Sequence, residues 1–148
     1  MASIIDSHYV DREVIGFVEP VVIVKSIRTK QLFEARIDSG ATRCSIDESV
    51  VKKMGLGPID ESESVVINAN GRVKRKTIEL TFILAGKTIT DSFTIADRSR
   101  LRYPVLIGRN ALRHGFLIDP NKRARTIPKD QTKLKGFSNK NKSKGSEK

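Results

Sequence analysis

The sequence predicts a mostly β domain carrying one or two short helices, and three observations predict it. Apolar and polar residues alternate with a period of two in several segments. Turn-forming Gly, Asn and Pro residues separate those segments. Helix-like patterns are confined to two short stretches, residues 45–57 and 108–115. No repeat of about 20 to 50 residues points to a propeller or a solenoid.

Taken in order, "VIGFVEPVVIVKSI" (14–27) reads as one or two strands interrupted near Pro20, whose missing amide hydrogen favours an edge or a bend. "LFEARID" (32–38) puts Phe33, Ala35 and Ile37 on one face and Leu32, Glu34 and Arg36 on the other. That strand delivers Asp38 at its end. "SIDESVVKKMGLG" (45–57) offers Ser45 or Asp47 as a helix N-cap, acids in the first turn, lysines in the last, and Gly55 as a stop. "SVVINANGRVKRKTIEL" (64–80) reads as a hairpin with Asn70-Gly71 as its two-residue turn, flanked by Val65 to Ile67 and by Val73 and Ile78. "TIELTFIL" (77–84) aligns Ile78, Leu80, Phe82 and Leu84, and "AGK" turns the chain back into "TITDSFTIAD" (88–97). Last, "YPVLIGRNALRHGFLID" (103–119) runs a dense apolar strand, Val105 to Ile107, into a short helix ended by Gly115.

A chain of 148 residues fits one domain. Its net charge of +11 is concentrated at one end: residues 121–148 hold ten Lys and Arg against Asp130 and Glu147, while residues 1–120 hold 18 basic and 15 acidic residues. The basic segment has few large apolar residues and is expected to be disordered beyond about residue 128. Such a tail fits weak electrostatic contact with nucleic acid or an acidic protein, or simple solubilisation; it lacks the aromatic-basic interleaving of a nucleic-acid platform. No apolar run approaches the ~18 residues of a membrane span. The N-terminus carries acids where a signal peptide needs a basic start, so no membrane contact and a cytoplasmic location are expected. The single Cys44 makes no internal disulfide and reads as a small buried thiol. With His8 and His114 far from it, no metal-ligand spacing exists, and no Gly-rich nucleotide loop is present. No metal and no cofactor are expected.

Asp38 sits in "IDSGA" (37–41), between a strand end and a Ser-Gly pair. Alone, Asp-Ser-Gly is a turn, because Asp and Ser bond their own backbone and Gly accepts unusual dihedrals. A second segment, "VLIGRNAL" (105–112), changes that reading. Together, in this order and spacing, the two resemble the retropepsin family of aspartic proteases, with an Asp-Ser/Thr-Gly-Ala turn early and an apolar-apolar-Gly-Arg-Asn segment late. The run "DRSRLRYPVLIGRNAL" followed by "FLIDP" is closer still to a microbial retropepsin-like group labelled ATP-dependent zinc proteases. The resemblance implies a retropepsin-like closed barrel, all-β with one or two short helices, active as a two-fold dimer. It divides the chain into an N-terminal arm (1–13), the retropepsin-like domain (14–120) and the basic tail (121–148).

The same resemblance implies an aspartic endopeptidase that hydrolyses polypeptides. Two carboxylates share a proton across a water, one ionised and one protonated, because like charges so close do not both ionise. With one Asp-Ser-Gly per chain, Asp38 is the catalytic residue and its mate comes from the other subunit of a homodimer. Ser39, Gly40 and Ala41 support the active turn, Asn70 and Gly71 mark the flap over it, and Gly108, Arg109 and Asn110 are structural neighbours. Arg72, Lys74, Arg75 and Lys76 make the far arm of the flap basic, which fits either a preference for acidic substrates or, the favoured reading, protection of an edge strand from pairing with other chains. Two departures stand out. Thr42 occupies the place where retroviral enzymes carry an acid that pairs with the arginine, leaving Asp91, Asp97 and Asp47 as candidate partners of Arg109. The flap also lacks multiple glycines. A non-catalytic dimer of the same fold, binding a peptide, protein or nucleic acid, is the alternative.

Overall fold

In the computed structural model, residues 9–123 are described; His8 and the rest of residues 1–8, and the basic tail from residue 124 onward with its expected disorder, lie outside them. In chain order the elements are β1 (Glu13–Ile15), β2 (Val18–Val24), β3 (Lys30–Ile37), β4 (Cys44–Asp47), α1 (Glu48–Met54), β5 (Ile59–Asn68), β6 (Gly71–Leu84), β7 (Lys87–Ala96), β8 (Val105–Ile107), α2 (Arg109–Leu112) and β9 (Phe116–Ile118).

Six of these strands close on themselves in the order β2-β3-β8-β4-β7-β6, with β6 returning to pair with β2. The fold is a closed all-β barrel with two short helices. Closure removes the open edges of the sheet and turns its inner face into a packed core. Alternation fills that core: Ile78, Leu80, Phe82 and Leu84 of β6 all face inward, as do Phe33, Ala35 and Ile37 of β3. Phe82 and Phe93 meet edge to face, with ring centroids 5.3 Å apart. The β6–β7 hairpin turns through Ala85 (φ 48°) and Gly86 (φ 81°), the mirror-image geometry that matches strand twist.

Four local expectations are corrected. The break in the first strand falls at Gly16 and Phe17, between β1 and β2, and not near Pro20. Pro20 stays inside β2 because pairing with β6 begins only at Val21, so its missing donor sits where a strand lies on one side alone. Gly16 makes the break: a Cβ there would lie 2.4 Å from the Lys122 carbonyl oxygen, and its N–H donates to the buried Glu19 carboxylate at 2.8 Å. Leu32, assigned to the polar face of β3, is buried on it. Ser45 is not a helix cap but part of β4, a strand too short to announce itself by alternation. The turn between β5 and β6 is Ala69-Asn70, since Asn68 pairs with Gly71, and Gly71 takes the positive φ of 115° at the start of β6.

Asp47 caps α1, accepting from the Ser49 N–H at 3.2 Å, and Gly55 ends the helix in the left-handed region. The same carboxylate accepts the Arg98 N–H across the chain, so one buried side chain joins α1 to the loop between β7 and β8. Asp47→Ala is expected to lower unfolding free energy by at least ~1 kcal/mol, the usual worth of a lost N-cap. Urea denaturation followed by circular dichroism checks this, and an unchanged midpoint would show that the carboxylate does not tie the two elements together.

Candidate active site

Asp38 emerges where β3 ends against β8. Its N–H donates to the Ile107 carbonyl at 2.9 Å, one step beyond the Ile37–Ile107 register pair. The chain then turns sharply, with the Ala41 N–H donating to the Asp38 carbonyl at 3.2 Å and the Gly40 N–H to Asp38 Oδ1 at 2.9 Å. A Cβ on Gly40 would stand 3.1 Å from that oxygen, so the turn is wrapped tightly around the carboxylate. Asp38 is half-buried and lines a cleft of about 590 Å³.

Five hydrogen bonds from two consecutive residues hold this turn. The Arg109 N–H donates to the Ala41 carbonyl at 2.8 Å and the Asn110 N–H to the Thr42 carbonyl at 3.2 Å. The Arg109 guanidinium forks, donating to the Ser39 carbonyl and to Thr42 Oγ1, each at 3.0 Å. The Asn110 side chain accepts the Cys44 N–H at 3.0 Å. The candidate carboxylate partners of Arg109 are therefore all wrong. Asp91 binds Asn110 and His114, Asp97 binds Ser99, and Asp47 caps α1. A neutral Thr hydroxyl takes the place expected for an acid, and a backbone carbonyl completes the fork.

Gly108 is a glycine for want of space. Its φ of −103° is open to any residue, yet a Cβ would lie 2.6 Å from the Arg43 carbonyl carbon and oxygen and 2.9 Å from the Ala41 oxygen. Its N–H points at the Cys44 sulfur, 3.4 Å away. Burial pushes the Cys44 thiol up to about 12, so the residue is the inert buried thiol the sequence suggested.

The cleft is covered by the β5–β6 hairpin through Val65, Val66, Ile67 and Arg75. Val65 and Ile67 are 55% and 74% exposed, apolar side chains held over a polar floor. Asn70 and Gly71 lie at the tip of this hairpin, outside the cleft lining. The opposite wall was not foreseen. It comes from the end of β7 and the loop after it, chiefly Thr94, Ala96, Asp97, Arg98 and Leu101. Arg98 is fixed there by its own N–H on Asp47 and by Nε on the Tyr103 carbonyl at 2.9 Å. Burial lowers the pKa of its guanidinium, Asp47 and Asp38 oppose that, and Arg75 adds to it. No periodicity in the sequence distinguishes Arg98, which lines the cleft, from Arg100 and Arg102.

Residues 56–129 match the RimB-like family, described as retropepsin-like aspartic endopeptidase RimB. The chain belongs to the RimB-like family. The RimB-like match takes in the β5–β6 hairpin and Gly108-Arg109-Asn110, while Asp38 lies upstream of it. Among solved structures, a Legionella pneumophila protein of unknown function is 22% identical, with a TM-score of 0.54 over 77% of this chain and 98% of that one. The solution structure of the simian foamy virus protease is 15% identical, with a TM-score of 0.46 over 64% of this chain and 89% of that one. No curated protein matches. Among the described residues no helix is long and apolar enough to cross a membrane, and no three His, Cys, Asp or Glu side chains are placed to hold a metal ion.

Gly108→Ala is expected to destabilise the protein by about 1–3 kcal/mol, the range for forcing an extra methyl into packed surroundings. Thermal unfolding of the variant measures it. A melting temperature equal to the wild type would mean that the Asp38 turn and the β8–α2 junction are free to move apart.

Proposed function

We propose that the protein is a homodimeric aspartic endopeptidase acting on polypeptides. The observation that carries the reading is the setting of Asp38: one oxygen is held by the Gly40 N–H, and the side chain lies on the floor of the cleft beneath the hairpin. One such carboxylate per chain is half of a pair, and a two-fold copy supplies the other. The ionised member of the pair takes a proton from the water between them as the water oxygen attacks the scissile carbonyl carbon. The protonated member donates to the carbonyl oxygen. The newly protonated member then gives its proton to the leaving amine nitrogen while the now ionised member takes one from a hydroxyl of the tetrahedral intermediate, which breaks the C–N bond and restores the shared proton.

The surface beside the turn supports a second copy. A hollow of about 300 Å³ opens next to Ser39 and Arg109 and is lined by Leu112, Phe116 and Leu117. Val14 and Leu117, register partners on β1 and β9, are 42% and 39% exposed, and Phe17 is 47% exposed. Phe17 accepts the Ile37 N–H at 2.8 Å, so this apolar rim reaches the residue before Asp38. Burying such a rim against its own copy brings the two turns together.

The shared run quoted above supports kinship with the microbial group labelled zinc proteases. Among the described residues no three His, Cys, Asp or Glu side chains are placed to hold zinc, and the proposed mechanism assigns no step to a metal.

Asp38→Asn keeps the turn, since an amide oxygen also accepts the Gly40 N–H. It is expected to cut peptidase activity by at least ~10²-fold, the lower end for acid-base catalysis, with the melting temperature unchanged or higher. Cleavage of unfolded casein by the purified proteins measures this, and full activity in a folded variant would return Asp38 to a turn residue. Solution scattering is expected to give a dimer. A monomer at every concentration that cleaves peptides would end the shared-dyad mechanism.

A further inference from the structure

Behind the active turn, away from the cleft, lies a chain of polar contacts that the peptidase chemistry does not touch. His114 Nε2 is 2.9 Å from Asp91 Oδ2. Asp91 Oδ1 accepts from Asn110 Nδ2 at 2.9 Å and from the Ser92 N–H at 2.7 Å. Asn110 Nδ2 also donates to the Ser92 carbonyl at 2.8 Å, while Asn110 Oδ1 accepts the Cys44 N–H at 3.0 Å. We infer that Asp91 and His114 are positioning residues which, through Asn110, set the geometry of the turn that carries Asp38.

Hydrogen-bond polarity gives the inference its direction. A carboxylate only accepts, so Asp91 obliges Asn110 to present its NH₂ end. The carbonyl end is then left for the Cys44 N–H, which only donates. Were the amide reversed, donor would face donor at Cys44 and acceptor would face acceptor at Asp91 and Ser92. Asn110 and Arg109 are adjacent on α2, so a rotation at Asn110 also disturbs the N–H bonds to Ala41 and Thr42. Burial works to raise the Asp91 pKa, and the bonds from His114, Ser92 and Asn110 outweigh it, leaving the carboxyl below its usual range and the acceptor ionised. His114 is in turn pinned at its backbone: its N–H donates to the Ala111 carbonyl at 3.0 Å, and its carbonyl accepts from Lys87 Nζ at 3.4 Å. The pair thus spans β7 and the end of α2, the two elements packed behind the turn.

The inference rests on the peptidase reading for its kinetic arm only. Three variants test it: Asp91→Ala, His114→Ala, and His114→Gln, whose amide nitrogen reaches where Nε2 stood. His114 is 42% exposed at its side chain, so its variants are expected to fold even if Asp91→Ala does not. Hydrogen–deuterium exchange in peptides covering 39–44 is expected to rise about tenfold in both Ala variants, the worth of one hydrogen bond to a charged group. On a fluorogenic peptide built from a site cut in casein, kcat is expected to fall by a similar factor with KM unchanged. His114→Gln is expected to restore both. Unchanged exchange and unchanged kcat in His114→Ala would overturn the proposal, as would a loss that appears only in melting temperature. Exchange that rises in the Ala variants while the wild type cleaves nothing would uphold the grip on the turn and overturn the peptidase reading instead.

Discussion

The close approach of Gly108 to the backbone of residues 41 to 43 is the constraint on which the rest of the site depends. Two polypeptide segments can exchange backbone hydrogen bonds only at van der Waals contact, and a side chain at position 108 would hold them apart. With that contact made, the first N–H groups of α2 reach the Ala41 and Thr42 carbonyls, and Arg109 spans the turn from Ser39 to Thr42. A helix of four residues has little stability of its own. Here its unsatisfied amides are spent on the turn, so each element completes the hydrogen bonding of the other.

The barrel supplies the rigidity that this arrangement needs. β3, β8 and β4 run side by side beneath the turn, with Ala35, Val105, Ile107, Cys44 and Ile46 all buried. Asp38 therefore leaves a strand whose register is fixed on the core side. The roof is built on the opposite principle. Between Gly71 and Lys76, β6 pairs with β5 alone, and the barrel ladder with β7 begins at Thr77. A two-stranded ribbon with exposed Val65 and Ile67 has little core of its own to hold it in place. From the basic arm Arg72 to Lys76, Arg75 reaches the cleft lining.

Most of the strand framework was legible because it is local. Period-two alternation needs only the sequence, and it held for β3 from Phe33 onward and for the full inward face of β6. What escaped was whatever depends on a partner distant in the chain. Leu32 is buried on the outer side of its strand, β4 exists because β7 and β8 flank it, and β1 exists because β9 lies beside it in parallel. The partner of Arg109 escaped for the same reason. Charge suggested a carboxylate, and the fold brought a hydroxyl and a carbonyl instead.

The sequence by itself determined the mostly β class and the place of Asp38 at a strand end, because each is written in residues near one another; that residues 37–41 and 105–112 belong together came from a family resemblance and not from a local pattern. Only the tertiary structure decided how the cleft is walled and how the turn is held. Arg98 among three loop arginines, and Asp91 with His114 behind Asn110, take their roles from positions some 20 to 60 residues away in sequence. The physical reason is that a hydrogen bond or a charge contact is set by distance in space. Closing the barrel, which pairs β6 with β2, fixes those distances, and no local pattern encodes them.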